Sequence, residues 1–241
     1  MRSDTPSDSI DRVTFDAREL SDGRWMVYAD CIPLVHAAAH DRLPLVVESV
    51  LTHYAAQHST SCAVFHAGVV IRNGKGILLP GERGSGKSTT TLWLAQQGAT
   101  YYSDDHAFVR YADHRLVPFP KAVTLKEGSF PLFEETRTLS DAIRGPVRYV
   151  LPPSAVRDVS ATYSIDAIIF PQYDATVSVE SRRVDPPVAA LALVQQCFGG
   201  MEGGEAKLRV LKELSSLPAW LVRYSDLRAF ESTVQSLLGD A

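Results

Sequence analysis

The segment Gly81-Glu82-Arg83-Gly84-Ser85-Gly86-Lys87-Ser88 meets the spacing G-x-x-x-x-G-K-S. Glycines at these points let the backbone turn successive N–H groups toward one place. A helix starting near Lys87 adds the positive end of its dipole, so the segment suits an anionic phosphate chain. In such a P-loop, Lys87 reaches the β- and γ-phosphates as a compact charge and the Ser88 hydroxyl is placed to coordinate Mg2+. Gly81, Glu82, Arg83, Gly84, Ser85, Gly86, Lys87, Ser88 and Thr89 together form the candidate nucleotide-binding set. One helix and one short strand later comes Asp104-Asp105. A carboxylate there can accept the proton of an attacking hydroxyl, and its neighbour can hold Mg2+, because phosphoryl transfer needs chiefly in-line positioning and charge neutralisation. Ser103-Asp104-Asp105 can also be no more than a turn, where aspartate is favoured.

The elements that must position these residues are legible around them. Cys62–Arg72 reads as a strand, Asn73-Gly74 as a tight turn, and Gly76–Pro80 as a second strand that feeds the P-loop. Thr89–Gln97 is the helix that follows, capped at Gly98, and Thr100–Ser103 is a short strand ending at the acids. Upstream, Arg24–Ile32 reads as a strand and Leu43–Gln57 as a helix. Downstream, His106–Tyr111 and Arg115–Pro118 form a hairpin, and Lys121–Phe133 holds a short strand and a loop. Arg148–Leu151 and the apolar Ile165–Pro171 are strands. Val188–Phe198 and Glu205–Leu217 are helices joined by a mobile glycine-rich loop over Gly199–Gly204. Ala219–Tyr224 is a last strand and Leu227–Leu238 a last helix.

The chain has 241 residues, 45% hydrophobic and 22% charged, with a net charge of −4. That supports one sizeable core with a small appendage and offers no clustered basic face for a nucleic acid. The expected division is a disordered tail at 1–12, a small α/β segment at 13–60 and a P-loop domain at 61–241. Cys31, Cys62 and Cys197 lie far apart, as reduced thiols of a cytoplasmic protein do. No apolar run approaches a membrane span, so no membrane partner is expected.

From Phe65-His66-Ala67-Gly68-Val69, through Leu79-Pro80 and the P-loop, to Ser103-Asp104-Asp105, the chain resembles the catalytic domain of bacterial HPr kinase/phosphorylase. It resembles still more the smaller HPr-kinase-related proteins, some of them found beside peptide-tailoring genes. The resemblance implies a phosphoenolpyruvate-carboxykinase-like α/β fold, with a mixed sheet, a central P-loop and flanking helices. It implies ATP and Mg2+ as cofactors and a protein or peptide acceptor carrying a serine or threonine hydroxyl, and it is compatible with a homo-oligomer. Asp104 would be the general base, Asp105 and Ser88 would serve Mg2+, and Lys87 the phosphates. His66, which strand periodicity alone reads as a buried core residue, would lie by the catalytic aspartate and the γ-phosphate. The family's glutamate-arginine-glycine signature after the paired aspartates has no counterpart. Pro118-Phe119-Pro120-Lys121-Ala122 and Leu125-Lys126-Glu127-Gly128 stand there instead. Lys121, Lys126 and Arg148 are candidate phosphate or substrate contacts, and equally good solvated surface cations.

Two other readings remain open on sequence. One is a small-molecule hydroxyl kinase, acting on free serine or resembling shikimate and gluconate kinases, although those chains usually open with the P-loop strand. The other is a nucleotide-sensing module that keeps the loop and needs no base.

Overall fold

The computed structural model describes residues 13–37, 43–134, 147–158, 160–199 and 204–239. The expected tail at 1–12, and all of the expected glycine-rich loop except Gly199 and Gly204, lie outside them. The chain divides into two units, Met1–Tyr54 and Ala55–Ala241. In the first, β1 (Phe15–Glu19), β2 (Trp25–Ala29) and β3 (Ile32–Ala37) form an antiparallel meander, followed by α1 (Leu43–Gln57), whose last three residues belong to the second unit. The single strand expected over Arg24–Ile32 is therefore two. Asp30 and Cys31 take positive φ values of 46° and 68° and turn the chain between them. Aspartate tolerates this left-handed region better than most residues, and Cys31 gives no such signal.

The second unit is built on a six-stranded mixed sheet. The strands of the unit as a whole are β4 (Cys62–Phe65), β5 (Ala67–Arg72), β6 (Lys75–Pro80), β7 (Thr100–Ser103), β8 (Ala107–Arg110), β9 (Leu116–Val117), β10 (Val123–Lys126), β11 (Val147–Val150), β12 (Ile165–Tyr173), β13 (Val179–Arg183) and β14 (Ala219–Tyr224). The main sheet has the order β13-β14-β12-β6-β5-β7, a smaller sheet is β4-β8-β9, and β10 pairs with β11. The helices are α2 (Lys87–Gln96), α3 (Pro186–Gln195), α4 (Gly204–Ser216) and α5 (Leu227–Leu237), and a 3-10 turn covers Glu127–Phe133. β13 was not anticipated: VESRR is charged and mostly exposed, a composition that suits the edge it occupies.

Alternation along the strands assigns the two faces. Val69, Ile71, Leu78 and Ile168 pack with Ala189, Leu193, Val210 and Leu214 of α3 and α4. Their neighbours Val70, Ile77, Leu79 and Ile169 pack with Leu94 of α2 and Leu227, Phe230 and Val234 of α5. A central strand buried on both faces is apolar where it is covered, which is why Ile165–Pro171 reads as an apolar run, and the exposed Gln172 and Tyr173 extend β12 beyond it. α2 is enclosed further, because Leu92 and Ala95 on another side meet Tyr101, Val123, Leu125 and Phe133.

Topology brings the chemistry to one edge. β12 and β14 are parallel to β6, and β5 runs antiparallel to β6 and to β7, so β7 points the same way as β6. The ends of β6, β7, β12 and β14 and the beginning of β5 therefore share an edge, where open α/β sheets bind ligands. The expected strand Cys62–Arg72 is interrupted at His66. There the chain passes from the small sheet, where Phe65 faces Ala107, to the large one, where Val69 faces Ser103. Asp104, Asp105 and His106 make the opposite passage alongside.

α2 approaches β5 at Gly68, where an added Cβ would stand 2.0 Å from Thr91 Oγ1 and 3.2 Å from Thr91 Cβ. Gly68→Ala should destabilise the protein by about 1–3 kcal/mol, the usual range for overpacking. Thr91→Ala should recover part of that loss in the double variant, as thermal unfolding of the cycle would read. Additive losses would show that the helix does not rest on this contact.

Candidate functional site

The P-loop leaves β6 at Pro80 and enters α2 at Lys87. Gly84 and Gly86 take φ values of 92° and 100°, which side chains rarely adopt. Gly86 has a second constraint, because the Tyr224 hydroxyl lies 2.1 Å from where its Cβ would be. The main chain of β12 closes on the loop as well, with Tyr173 N–H donating to Ser85 O at 3.0 Å. Glu82, Arg83 and Gly84 are exposed, while Lys87 is buried. Its ammonium donates to the loop's own carbonyls, Gly81 O at 2.7 Å and Glu82 O at 2.8 Å. Burial lowers the Lys87 pKa, with Asp105 and Asp104 opposing that and Lys126 adding to it. Thr89 Oγ1 meets Ser129 Oγ at 2.9 Å, which ties the first turn of α2 to the 3-10 turn.

The twin acids face this loop from β7, in two different environments. Asp104 is fully buried, and neither carboxylate oxygen has a hydrogen-bond partner. The Ser88 hydroxyl is the neutral group that faces it and lowers its pKa, without closing to hydrogen-bond geometry. Burial, and next the charge of Asp105, raise the Asp104 pKa to about 7. Asp105, with φ 64°, turns the other way and keeps 30% of its side chain exposed. Its Oδ1 lies 3.5 Å from His66 Nε2 and its Oδ2 lies 3.6 Å from Lys121 Nζ. Burial opposes its charge, but His66, Lys121 and Lys87 outweigh that and hold its pKa below the ordinary carboxylate range.

Lys121 owes its place to the segment before it. Phe119 bridges to Ser103 and its N–H donates to Tyr102 O at 3.2 Å, so Pro118–Lys121 runs beside β7. The buried Tyr101 hydroxyl then donates to Lys121 O at 2.9 Å. This leaves the Lys121 side chain only 9% exposed and against Asp105, not out in solvent. Lys126 is exposed at the end of β10, close enough for its charge to act on Lys87. Arg148 stands apart from the acids: its guanidinium stacks on Phe130, 4.1 Å from the ring centroid. His66, Lys87, Ser88, Asp104, Asp105 and Lys121 are thus brought together, and Arg148 is not among them.

Sequence reasoning gave no place to His106. It is buried beside the acids, stacked on Phe198 with centroids 4.8 Å apart, and Phe198 also meets the His66 ring edge-on. Phe198 reaches this point because residues 196–198 lie along β4, with His66 N–H donating to Gln196 O and Phe198 N–H to Val64 O. Only adjacency to Asp105 could have hinted at His106, and Phe198 carries no such signal.

Among the described residues no group of three or more His, Cys, Asp or Glu side chains forms a metal cluster. Mg2+ beside a P-loop needs less: one or two carboxylates and a hydroxyl, with phosphate and water completing the shell. The unpartnered buried oxygens of Asp104 beside Ser88 fit a hard cation of that kind. All three cysteines are free, and among the described residues no helix is long and apolar enough to cross a membrane.

The opposite environments of the two acids have opposite consequences for stability. Asp104, raised above its unfolded value near 4, holds a proton in the fold that the unfolded chain has released. Its penalty therefore grows as pH rises from about 4 to 7 and stays level above that. Without nucleotide, Asp104→Asn should raise the melting temperature at pH 8, and the gain should shrink toward pH 5. Asp105 is lowered, so its stabilisation is present above pH 4 and fades as the solution is acidified. Asp105→Asn should therefore lower the melting temperature at pH 8. Equal shifts for both variants across pH would contradict the two environments.

No family model matches the chain. Two curated relatives do, both HPr kinase/phosphorylases. That of Lactobacillus delbrueckii subsp. bulgaricus is 39% identical over 69 residues, and that of Lactobacillus acidophilus is 37% identical over 71. These stretches are 29% and 30% of this chain and 22% of each relative. Among solved structures, the Hpr(Ser) kinase/phosphatase from Coxiella burnetii aligns over 73% of this chain and 88% of its own, at 12% identity and a TM-score of 0.37. The chain spans about a fifth of the length of the curated relatives it matches, and over that stretch it is similar to HPr kinase/phosphorylases.

Proposed function

We propose that this chain transfers the γ-phosphoryl group of ATP, with Mg2+, to a serine or threonine hydroxyl of a protein or peptide in the cytoplasm. The observation that carries the reading is Asp104. A fully buried carboxyl without a hydrogen-bond partner is costly, and it stands beside the P-loop residues Lys87 and Ser88. A nucleotide-sensing module would use such a group only to hold Mg2+ and would need no proton acceptor there. A small-molecule acceptor such as free serine would meet the same site chemistry, so the acceptor's size rests on kinship alone.

In this reading, backbone N–H groups from Gly81 to Thr89 bind the phosphates, and Lys87 exchanges its two loop carbonyls for phosphate oxygens. Bound Mg2+, held by Ser88 and a carboxylate, would supply charge neutralisation. Asp104 accepts the acceptor's hydroxyl proton, and a pKa near neutrality suits that task. His66 and Lys121 keep Asp105 charged. One observation favours a second division of labour: Ser88 faces Asp104, and the more exposed Asp105 is the acid beside His66. Asp104 would then serve Mg2+ and Asp105 the proton.

Labelled ATP offered to candidate acceptors, with nucleotide binding measured in parallel, tests these roles. Lys87→Ala should abolish binding or turnover. Asp104→Asn should leave MgATP binding nearly intact and cut transfer by about 10²–10⁴-fold, the range for losing a general base. A weakened, Mg2+-dependent affinity in Asp104→Asn, with the kinetic loss moved to Asp105→Asn, would select the second division. Wild-type protein that binds ATP tightly yet transfers phosphate to no hydroxyl would leave only the sensing reading.

A further inference from the structure

The P-loop has two flanks, and the phosphate chemistry uses one. In the order β14-β12-β6-β5-β7, the acids stand on the β7 side of β6 and β12 stands on the other. β12 also outlasts its neighbour. From the paired residues Ile168 and Leu78 it continues five residues to Tyr173, while β6 has only Leu79 and Pro80 left. The excess length runs along the loop, where Tyr173 N–H donates to Ser85 O at 3.0 Å and the next residue, Asp174, donates N–H to Tyr224 O at 2.8 Å. The main chain is thus pinned on both sides of a tyrosine that is itself 58% exposed.

That ring is not loose. It stands edge-to-face with Tyr224, centroids 6.0 Å apart and planes at 80°, and Tyr224 is the residue whose hydroxyl fills the space below Gly86. A large aromatic surface is therefore fixed at the rim of the phosphate loop, open to solvent, on the flank away from Asp104 and Asp105. A triphosphate whose last phosphorus lies by the acids directs its nucleoside toward the opposite flank.

We propose that Tyr173 is the stacking face for the nucleobase of the nucleotide bound at Gly81–Thr89. This rests on the nucleotide-binding reading above and adds to it the subsite that holds the base. Stacking on an open aromatic ring is tolerant of base identity, since every base has a π-face, so the site takes nucleoside triphosphates as a class.

The test compares ATP with inorganic tripolyphosphate, which has the same anionic chain and no base, by calorimetry on the full chain. Wild type should bind ATP more tightly than tripolyphosphate. Tyr173→Ala should weaken ATP by about five- to fifty-fold, the lower part of the range for one base–aromatic stack, and leave tripolyphosphate unchanged. Tyr173→Phe should behave as wild type. Unchanged ATP affinity in Tyr173→Ala would overturn the proposal. An equal loss for both ligands would also overturn it, by assigning the ring to the shape of the loop. If wild type binds tripolyphosphate and ATP alike, the base makes no contact and this inference falls alone. If it binds neither, the nucleotide reading falls with it.

Discussion

Burying a carboxyl group with nothing to receive its lone pairs is among the less favourable things a fold can do, and Asp104 is held in that state from three directions. Ser103 anchors the turn by donating its hydroxyl to His106 O. β7 fixes the backbone before it through pairing with β5. Phe119–Lys121 covers β7 on its other side. The carboxyl is thereby left against Lys87 and Ser88, where burial, and next the charge of Asp105, raise its pKa to about 7. Relaxing any one of these supports would let the side chain reach water and lose its raised pKa, so the unfavourable placement is maintained by the fold around it.

The asymmetry of the pair follows from a single backbone angle. With φ at 64°, Asp105 directs its side chain away from the interior and toward His66 and Lys121, while its predecessor continues the strand inward. Adjacent carboxylates repel, so a charged Asp105 helps keep a proton on Asp104. His66 enters this arrangement because it occupies the break where the chain passes from the small sheet to the large one. A residue inside either strand would be committed to a ladder and a face. One at the crossing can turn to the neighbouring crossing, and that is where the acids are.

Much of this was visible in the residues. The P-loop spacing, the Asn73-Gly74 hairpin and the apolar run of β12 each carry a local physical signal, and their elements stand where those signals put them. Lys121 was undecided on sequence, because its pairing with Asp105 depends on a tether from Tyr101 that is remote in sequence. Arg148 was undecided for a similar reason, and its partner is Phe130. The break at His66 was invisible, since Cys62–Arg72 is β-prone throughout and only the partner strands reveal that they belong to two sheets. Tyr224 and Phe198 were missed because each acts through a packing contact made by a distant segment.

The loop's cation and the buried acid are also linked in what a bound phosphate would change. Lys87 directs its ammonium at Gly81 O and Glu82 O, two neutral acceptors, and burial weakens its hold on its proton. Phosphate oxygens would replace neutral acceptors with charged ones, making stronger hydrogen bonds and raising the lysine's affinity for its proton. A cation near Ser88 would act on Asp104 in the reverse sense, favouring its ionised form. Anion and cation thus push two neighbouring groups toward their charged states together. The site that is least comfortable as a protein interior becomes electrostatically balanced when a metal–triphosphate pair completes it, which is the direction a binding site must favour if affinity and readiness to accept a proton are to arrive in the same step.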